Sequence, residues 1–144
     1  MEWYLAVLKK YAVFDGRARR KEFWYFALIN FLIFIPLIII GVIIAAATAM
    51  SDQFGYFALM FIPLFLYSLF IIVPSIAVTV RRLHDTNRSG WWYLINFVPW
   101  VGSVILFVFT VLDGTSGPNQ YGPDPKSAER PSPVTPPVVT QSPG

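Results

Sequence analysis

The sequence contains no cysteine and a single histidine, His84. The first absence excludes disulfides, thiolate catalysis and cysteine-bound zinc or iron–sulfur centres, and the second excludes any site that requires two imidazoles. The sequence also lacks a recognisable metal-ligand set, a phosphate-binding glycine loop and an obvious nucleophile. We therefore predict that the protein is not an enzyme and has no catalytic, cofactor-binding or metal-binding residues.

Charge is scarce as well, since 13% of the residues are charged and 56% are hydrophobic, against about 25% and 45–50% in soluble domains. Three long runs contain no charged residue, and they cover residues 23–50, 54–80 and 91–112. Each run is longer than the roughly 20 helical residues that cross a bilayer. Lipid also requires the backbone groups of such a run to be paired within a helix. The sequence therefore predicts an all-α integral membrane bundle with about three transmembrane helices, in a membrane domain of residues 1–126.

The third run has two interpretations. Its length favours a helix that spans the membrane. However, it contains Pro99 and Gly102, and a proline inside a helix removes a backbone donor and bends or breaks the helix. The run is therefore either a spanning helix or a re-entrant hairpin that returns to the side from which it entered.

The two ends of the chain differ from the membrane runs. Residues 2–12 carry aromatic and aliphatic side chains at helical spacing, which predicts a short interfacial helix on the membrane surface, with a frayed terminus as the alternative. Eight of the 12 prolines lie between Pro118 and Pro143, where they favour polyproline II and cannot build a core. We predict that residues 127–144 form a disordered, proline-rich tail.

Basic residues are concentrated in two segments, one before the first run and one between the second and third runs. They are Lys9, Lys10, Arg17, Arg19, Arg20 and Lys21 in the first segment, and Arg81, Arg82 and Arg88 in the second. The positive-inside rule places the N-terminus and the 81–90 loop in the cytoplasm. Three crossings place the tail outside, whereas a re-entrant third run returns it to the cytoplasm. The net charge of +3 is too small and too localised to indicate a nucleic-acid partner.

Residues 14–24 and 81–92 form what we call the rim, a polar border at the predicted cytoplasmic ends of the helices. Both segments end in tryptophans, as interfacial aromatic belts do, and the Ser89 hydroxyl is placed to cap the third run. The candidate functional residues of the rim are Arg17, Arg20, Arg81, Arg82, His84, Asp85, Arg88, Ser89, Gly90, Trp91 and Trp92.

Two interpretations of the rim remain open. In one, the arginines anchor helix ends and set the topology, while Asp15 and Asp85 neutralise them. In the other, four guanidinium groups converge on the phosphate of an anionic lipid head group. These belong to Arg17, Arg20, Arg81 and Arg82. The leading function is accordingly a non-enzymatic membrane protein whose rim organises phospholipid head groups or binds a partner protein, with a homo-oligomer also open.

Two other function classes are alternatives. A small transport or channel subunit comes second, because ion-coupled carriers usually place an ionisable residue within the membrane and the three runs contain none. Their polar groups, such as Asn30 and Ser75, are typical of helix–helix contacts. A membrane enzyme comes third. Its only support is that His84 and Asp85 are adjacent in the sequence and could act as a proton-transfer pair.

Three motifs resemble a known family. They are Phe14-Asp-Gly-Arg17, Arg81-Arg-Leu-His-Asp-Thr-Asn-Arg-Ser-Gly-Trp-Trp92 and Gly117-Pro-Asn-Gln-Tyr-Gly-Pro-Asp-Pro125. Residues 1–126 are similar to the YhaH/YhaI-like family of small bacterial inner-membrane proteins, a domain of unknown function. The resemblance implies a bacterial plasma membrane and the helix count given above, and it implies no activity. The family usually has glycine where this chain has Asn87, and both residues tolerate a tight turn.

The resemblance also bears on the tail. The stretch from Asn119 to Pro125 matches a family motif, which implies that the near part of the tail is ordered. If this stretch packs on the cytoplasmic arginines, the tail lies in the cytoplasm and its placement outside is wrong.

Overall fold

The computed structural model describes residues 2–48 and 54–129. Within these residues, all regular elements are helical, and the only β-type pairing is an isolated bridge between Asn119 and Gly122. The elements are α1 (Glu2–Lys9), α2 (Arg20–Thr48), α3 (Phe54–Asp85), a 3₁₀ helix (Gly90–Phe97) and α4 (Val101–Val111). The predicted all-α class is confirmed.

Two helices are long and apolar enough to cross a membrane, over Arg20–Ala47 and Phe61–Asp85. Large apolar side chains on their outer faces, such as Ile39 and Phe65, are more than half exposed in the isolated chain. Exposed apolar surface of this extent is unfavourable in water and favourable in hydrocarbon. The sequence predicts a loop over residues 81–90, but α3 continues to Asp85. The helix is longer than predicted because its last side chains are buried against other parts of the protein and are not exposed to solvent.

The third apolar run is not the single helix predicted over residues 91–112. The 3₁₀ helix ends at Phe97, Trp100 adopts a left-handed backbone with φ of 66°, and α4 begins at Val101. Pro99 accounts for the break, because it cannot donate a helical hydrogen bond and disfavours helix in the residue before it.

The chain reverses at this break, and we call residues 90–112 the hairpin. Gly102 packs so closely on the 3₁₀ helix that a Cβ atom there would lie 1.7 Å from the carbonyl oxygen of Ile95. Both ends of the hairpin lie beside the C-terminal end of α3, since Gly90 contacts Val80 and the Arg82 guanidinium binds the Leu112 carbonyl. Of the two interpretations of the third run, the structure therefore shows the hairpin. The 11 residues of α4 span about 16 Å, roughly half of a hydrocarbon core.

The N-terminal segment is an ordered helix, α1, rather than a frayed end. Val7 is fully buried, Tyr4 stacks on Phe26 of α2 with ring centroids 5.4 Å apart, and the Tyr11 hydroxyl donates to the Phe70 carbonyl of α3 at 2.6 Å. The protein itself thus covers the apolar stripe of α1, and the segment packs against both α2 and α3.

Residues 113–129, which we call the tail segment, continue as turns after α4. Backbone hydrogen bonds join Ser127 to Asp124 and Glu129 to Lys126, so the turn structure passes the predicted boundary at residue 126. The rest of the predicted disordered tail, residues 130–144, lies outside the described residues, as does the 51–53 link.

Candidate functional site

The centre of the rim is a buried carboxylate held by two guanidinium groups. Asp85 Oδ1 accepts from Arg17 Nε at 2.9 Å, and Asp85 Oδ2 accepts from Arg82 Nη1. The three side chains are 2%, 1% and 0% exposed. Charges buried this deeply must be paired and hydrogen-bonded. We call Arg17, Arg82 and Asp85 the Arg–Asp core.

Backbone carbonyls of the hairpin and the tail segment close the Arg–Asp core. Arg17 donates to the carbonyls of Thr115 at 2.5 Å and Gly117 at 2.7 Å. Arg82 donates to the carbonyls of Thr110 at 3.1 Å and Leu112. One carboxylate balances only one of the two cations, so these carbonyl dipoles solvate the remaining positive charge. Residues 110–117 therefore wrap around the two arginines.

A second ion pair lies beside the core. Arg81 Nη1 donates to Glu22 Oε1 at 2.7 Å, and the two side chains are 1% and 8% exposed. The Nε and Nη2 atoms of Arg81 are buried and have no hydrogen-bond partner within residues 2–48 and 54–129. The pair fastens the end of α3 to the start of α2.

His84 links the loop before α2 to the tail segment. Its Nδ1 lies 3.2 Å from the Gly16 carbonyl, and its ring stacks on Tyr121 with centroids 3.8 Å apart and planes 2° apart. A carbonyl only accepts, so Nδ1 carries the proton and Nε2 is the acceptor in the neutral ring. The His84 carbonyl accepts from Asn119 Nδ2 at 2.9 Å, which fixes the tail turn against the same helix end.

The periphery of the rim carries weaker pairs. Arg20 Nε donates to the Leu112 carbonyl at 3.0 Å and lies 3.4 Å from Asp113. Lys126 Nζ donates to the same carboxylate at 2.8 Å, and this hydrogen bond lowers the pKa of Asp113. The Arg88 guanidinium lies 4.0 Å from the ring centre of Phe109, a cation–π geometry.

The start of the hairpin presents aromatic side chains outward. The Ser89 hydroxyl accepts from the Trp91 backbone N–H at 3.4 Å and caps the 3₁₀ helix. Gly90 leaves no room for a side chain, because a Cβ would lie 2.8 Å from Val80. Trp91 and Trp92 are 78% and 46% exposed, as expected for side chains that face lipid or its head groups.

The structure brings only part of the predicted anion site together. Arg17 and Arg82 point at Asp85, whereas Arg81 points at Glu22 and Arg20 lies at the periphery. The guanidinium groups of Arg17 and Arg82 are thus paired inside the protein. Asn87 has a φ of 58°, a left-handed conformation that explains why asparagine stands at a position suited to glycine.

Sequence reasoning missed the partners supplied by the tail segment. Thr115 and Gly117 contribute backbone carbonyls, which every residue possesses, so no side-chain pattern marks them. Asn119 and Tyr121 were detectable only through the family motif in which they stand. In the described parts of the chain, no three His, Cys, Asp or Glu side chains gather closely enough to hold a metal ion.

Comparison with known proteins identifies relatives along nearly the whole chain. Residues 11–123 match the model of the family described as "Protein of unknown function (DUF805)". Inner membrane protein YhaI of Escherichia coli strain K12 is 46% identical over 127 residues, which cover 88% of this chain and 97% of YhaI. Inner membrane protein YhaH of the same strain is 41% identical over 126 residues, which cover 88% of this chain and 98% of YhaH.

A more distant relative is the uncharacterized protein YiiR of Escherichia coli strain K12, 29% identical over 140 residues that cover 77% of this chain and 84% of YiiR. No solved structure matches the chain. The family model covers most of the sequence, and its relatives YhaI and YhaH align over nearly their full lengths. The chain therefore belongs to the DUF805 family of proteins of unknown function and is an all-helical membrane protein.

Proposed function

We propose that the chain is a non-enzymatic protein of the bacterial inner membrane whose cytoplasmic rim binds anionic phospholipid head groups. The observation that carries the proposal is the division of the basic residues into two sets. The buried arginines of the rim form ion pairs with internal carboxylates, whereas Lys21 of the rim and the preceding Lys9 and Lys10 are exposed. The first set holds the fold, and the second set is free to meet the membrane surface.

The second set of cations is suited to anionic lipid. A basic residue near an anionic membrane surface contributes about 1 kcal/mol of attraction. The exposed Trp91 and Trp92 and the partly exposed Trp24 supply the interfacial aromatic groups that accompany such contacts. Guanidinium groups buried against Asp85 do not have to reach the phosphate for this binding to occur.

The orientation follows from the same charges. The tail segment accepts hydrogen bonds from Arg17, and Leu112 just before it accepts one from Arg82, so the tail segment lies on the side of the rim, together with the N-terminus. The positive-inside rule then supports placing the N-terminus, the 81–90 segment and the tail segment together in the cytoplasm. The tail segment would therefore be cytoplasmic, whereas three full crossings would place it outside.

Head-group binding is tested by neutralising the exposed lysines together, as Lys9→Gln, Lys10→Gln and Lys21→Gln. The full-length protein is reconstituted in vesicles of phosphatidylglycerol and phosphatidylcholine, and energy transfer from its tryptophans to a labelled form of each lipid reports local enrichment. We expect the native chain to enrich phosphatidylglycerol over phosphatidylcholine. In the triple variant this enrichment should fall by a factor of about five or more, which corresponds to about 1 kcal/mol.

The matched control replaces the same three lysines by arginine, which keeps the charge. Enrichment should persist in this control and should weaken as salt is raised, since exposed charges are screened. A native chain without any preference for phosphatidylglycerol, or a glutamine variant with unchanged preference, contradicts the proposed head-group binding.

Topology is tested by single-cysteine labelling, for which the cysteine-free chain needs no prior engineering. We expect an impermeant thiol reagent to label Asp15→Cys and Ser127→Cys from the cytoplasmic side only, and Ser51→Cys from the opposite side. Asp15 and Ser127 are exposed in the structure, so accessibility alone does not separate them. Labelling of Ser127→Cys together with Ser51→Cys would show that the hairpin instead crosses the membrane.

The polar groups within the spanning helices support a structural role over transport. The Tyr67 hydroxyl of α3 donates to Asn30 Oδ1 of α2 at 2.6 Å, and Asn30 Nδ2 donates to the Phe26 carbonyl at 2.7 Å. The hydroxyls of Ser68 and Ser75 bond to carbonyls one turn earlier in α3. The bond between Tyr67 and Asn30 joins the two helices, and side chains whose hydrogen bonds are made within the protein do not line a path.

A further inference from the structure

A cavity of about 540 Å³ opens beside the rim, and we call it the interfacial cavity. One wall is α3, and the other is the 3₁₀ helix of the hairpin. The residues that matter here are Ile76, Val80 and His84 on α3, and Ser89, Trp91 and Leu94 on the hairpin side. Its volume is in the range of cavities that hold small ligands.

The interfacial cavity changes from polar to apolar along its length. Ile76, Val80 and His84 are spaced by four residues and lie on one stripe of α3, so Ile76 lies about 12 Å deeper in the membrane direction than His84. On the opposite wall, Ser89 is at the rim, and Leu94 lies farther along the 3₁₀ helix. A ligand that fits both ends has a polar group at the rim and a hydrocarbon chain below it.

His84 is held so that one nitrogen serves the polar end of the cavity. Its Nδ1 is engaged by the Gly16 carbonyl, and Tyr121 stacks on its ring. These two contacts leave Nε2, the acceptor nitrogen, on the side of Gly90, which also lines the cavity. The Ser89 hydroxyl stands at the same end. This end therefore suits a ligand group that carries hydroxyl donors.

Access to the interfacial cavity is from the bilayer. Trp91 and Leu94 flank it and are 78% and 49% exposed, so no protein layer separates it from lipid. Hydroxyl donors and an acyl chain occur together in phosphatidylglycerol, which is also an anionic lipid of the kind that the proposed rim function requires.

We propose that the interfacial cavity holds one phosphatidylglycerol molecule, with its glycerol head group at His84 and Ser89 and an acyl chain against Ile76, Val80 and Leu94. This inference rests on the proposed rim function and assigns it a site. The lipid held here differs from the lipids attracted by the lysines, because shape and hydrogen bonds retain it, whereas charge attracts the others.

The proposal is tested by filling the interfacial cavity with Ile76→Trp and, separately, Leu94→Trp in the full-length protein. Native mass spectrometry after relipidation with phosphatidylglycerol or phosphatidylcholine counts the lipid molecules retained. We expect the native chain to keep one phosphatidylglycerol, and each filled variant to lose at least tenfold of its occupancy. Ile72→Trp is the control, because Ile72 lies one turn deeper on α3, is 52% exposed and does not line the cavity.

A third variant, His84→Phe, keeps a ring for Tyr121 to stack on and removes the acceptor nitrogen. It should lower the preference for phosphatidylglycerol over phosphatidylcholine without removing the acyl-chain site. Equal retention of the two lipids by the native chain, or equal loss of lipid in Ile76→Trp and Ile72→Trp, overturns the proposal. If Ile76→Trp does not fold, the lipid retained by Leu94→Trp is compared with that of Ile72→Trp in its place.

The two proposals fail in different ways. In one outcome, native mass spectrometry finds one phosphatidylglycerol on the lysine-to-glutamine variant, but the vesicle measurement shows no enrichment of this lipid. The interfacial cavity then binds lipid and the rim does not. If enrichment is present and the cavity variants retain lipid as the native chain does, the rim proposal stands and the cavity proposal is wrong.

Discussion

Replacing Asp85 by leucine should destabilise the protein more than any exposed substitution in the rim. The change leaves Arg17 and Arg82 buried beside each other without a carboxylate. Removing one partner of a buried pair costs about 3–5 kcal/mol, because the remaining charge stays desolvated. In a detergent-solubilised sample, we expect the midpoint of thermal unfolding to fall by about 10 °C or more, as measured by loss of the monodisperse peak after heating.

The matched control is Asp113→Asn, which also removes a carboxylate from an arginine and a lysine. Asp113 is 63% exposed, and exposed ion pairs contribute about 0–1 kcal/mol. The midpoint should therefore remain close to that of the native chain. Equal stabilities of the two variants would show that the Arg–Asp core does not depend on its carboxylate.

Gly102→Ala should also destabilise the protein, and the sign of this effect is informative. In a straight helix the same change stabilises by about 1 kcal/mol, because alanine is the better helix former. In the hairpin, the added Cβ would lie 1.7 Å from the Ile95 carbonyl oxygen and 2.7 Å from the carbonyl carbon. These are backbone atoms that cannot rotate away, so the 3₁₀ helix and α4 must separate, at a cost of about 1–3 kcal/mol or more.

Thermal unfolding and limited proteolysis of the tail segment measure the effect of Gly102→Ala. Separation of the two arms of the hairpin moves the Leu112 carbonyl away from Arg82, so the tail segment should be cleaved faster. Val104→Ala is the control, since Val104 is an exposed residue of α4 and its replacement should change neither quantity. A variant at position 102 that is more stable than the native chain would favour one continuous helix over residues 91–112.

Sequence reasoning located α2 and α3 because a long run without charge has few alternatives in lipid. It left the third run open between two forms, since hydrophobic composition does not distinguish a helix that spans the bilayer from a hairpin that reverses at Pro99. It also expected a loop after Val80. The helix continues there because Arg82 and Asp85 are stabilised by distant residues, such as Arg17, and a local pattern does not contain that information.

The sequence gives a set of candidate residues for the rim, but it does not give their arrangement. The sequence shows arginines near Asp85 and Glu22, yet it does not show which cation each carboxylate binds. The separation of 68 residues between Arg17 and Asp85 is resolved only by the packing of α2 on α3. The contribution of Thr115 and Gly117 through carbonyl oxygens has no signature in side-chain chemistry.

The way the Arg–Asp core is closed has a consequence for how the nascent chain matures. Synthesis proceeds from the N-terminus, so Arg17 and the end of α3 emerge well before Thr115 and Gly117, whose carbonyls complete the coordination of Arg17. Until those residues leave the ribosome, the Arg17 guanidinium lacks these partners and keeps part of its hydration. Dehydration of this helix end is therefore among the last steps of maturation, and a polypeptide released before Gly117 lacks the means to complete it.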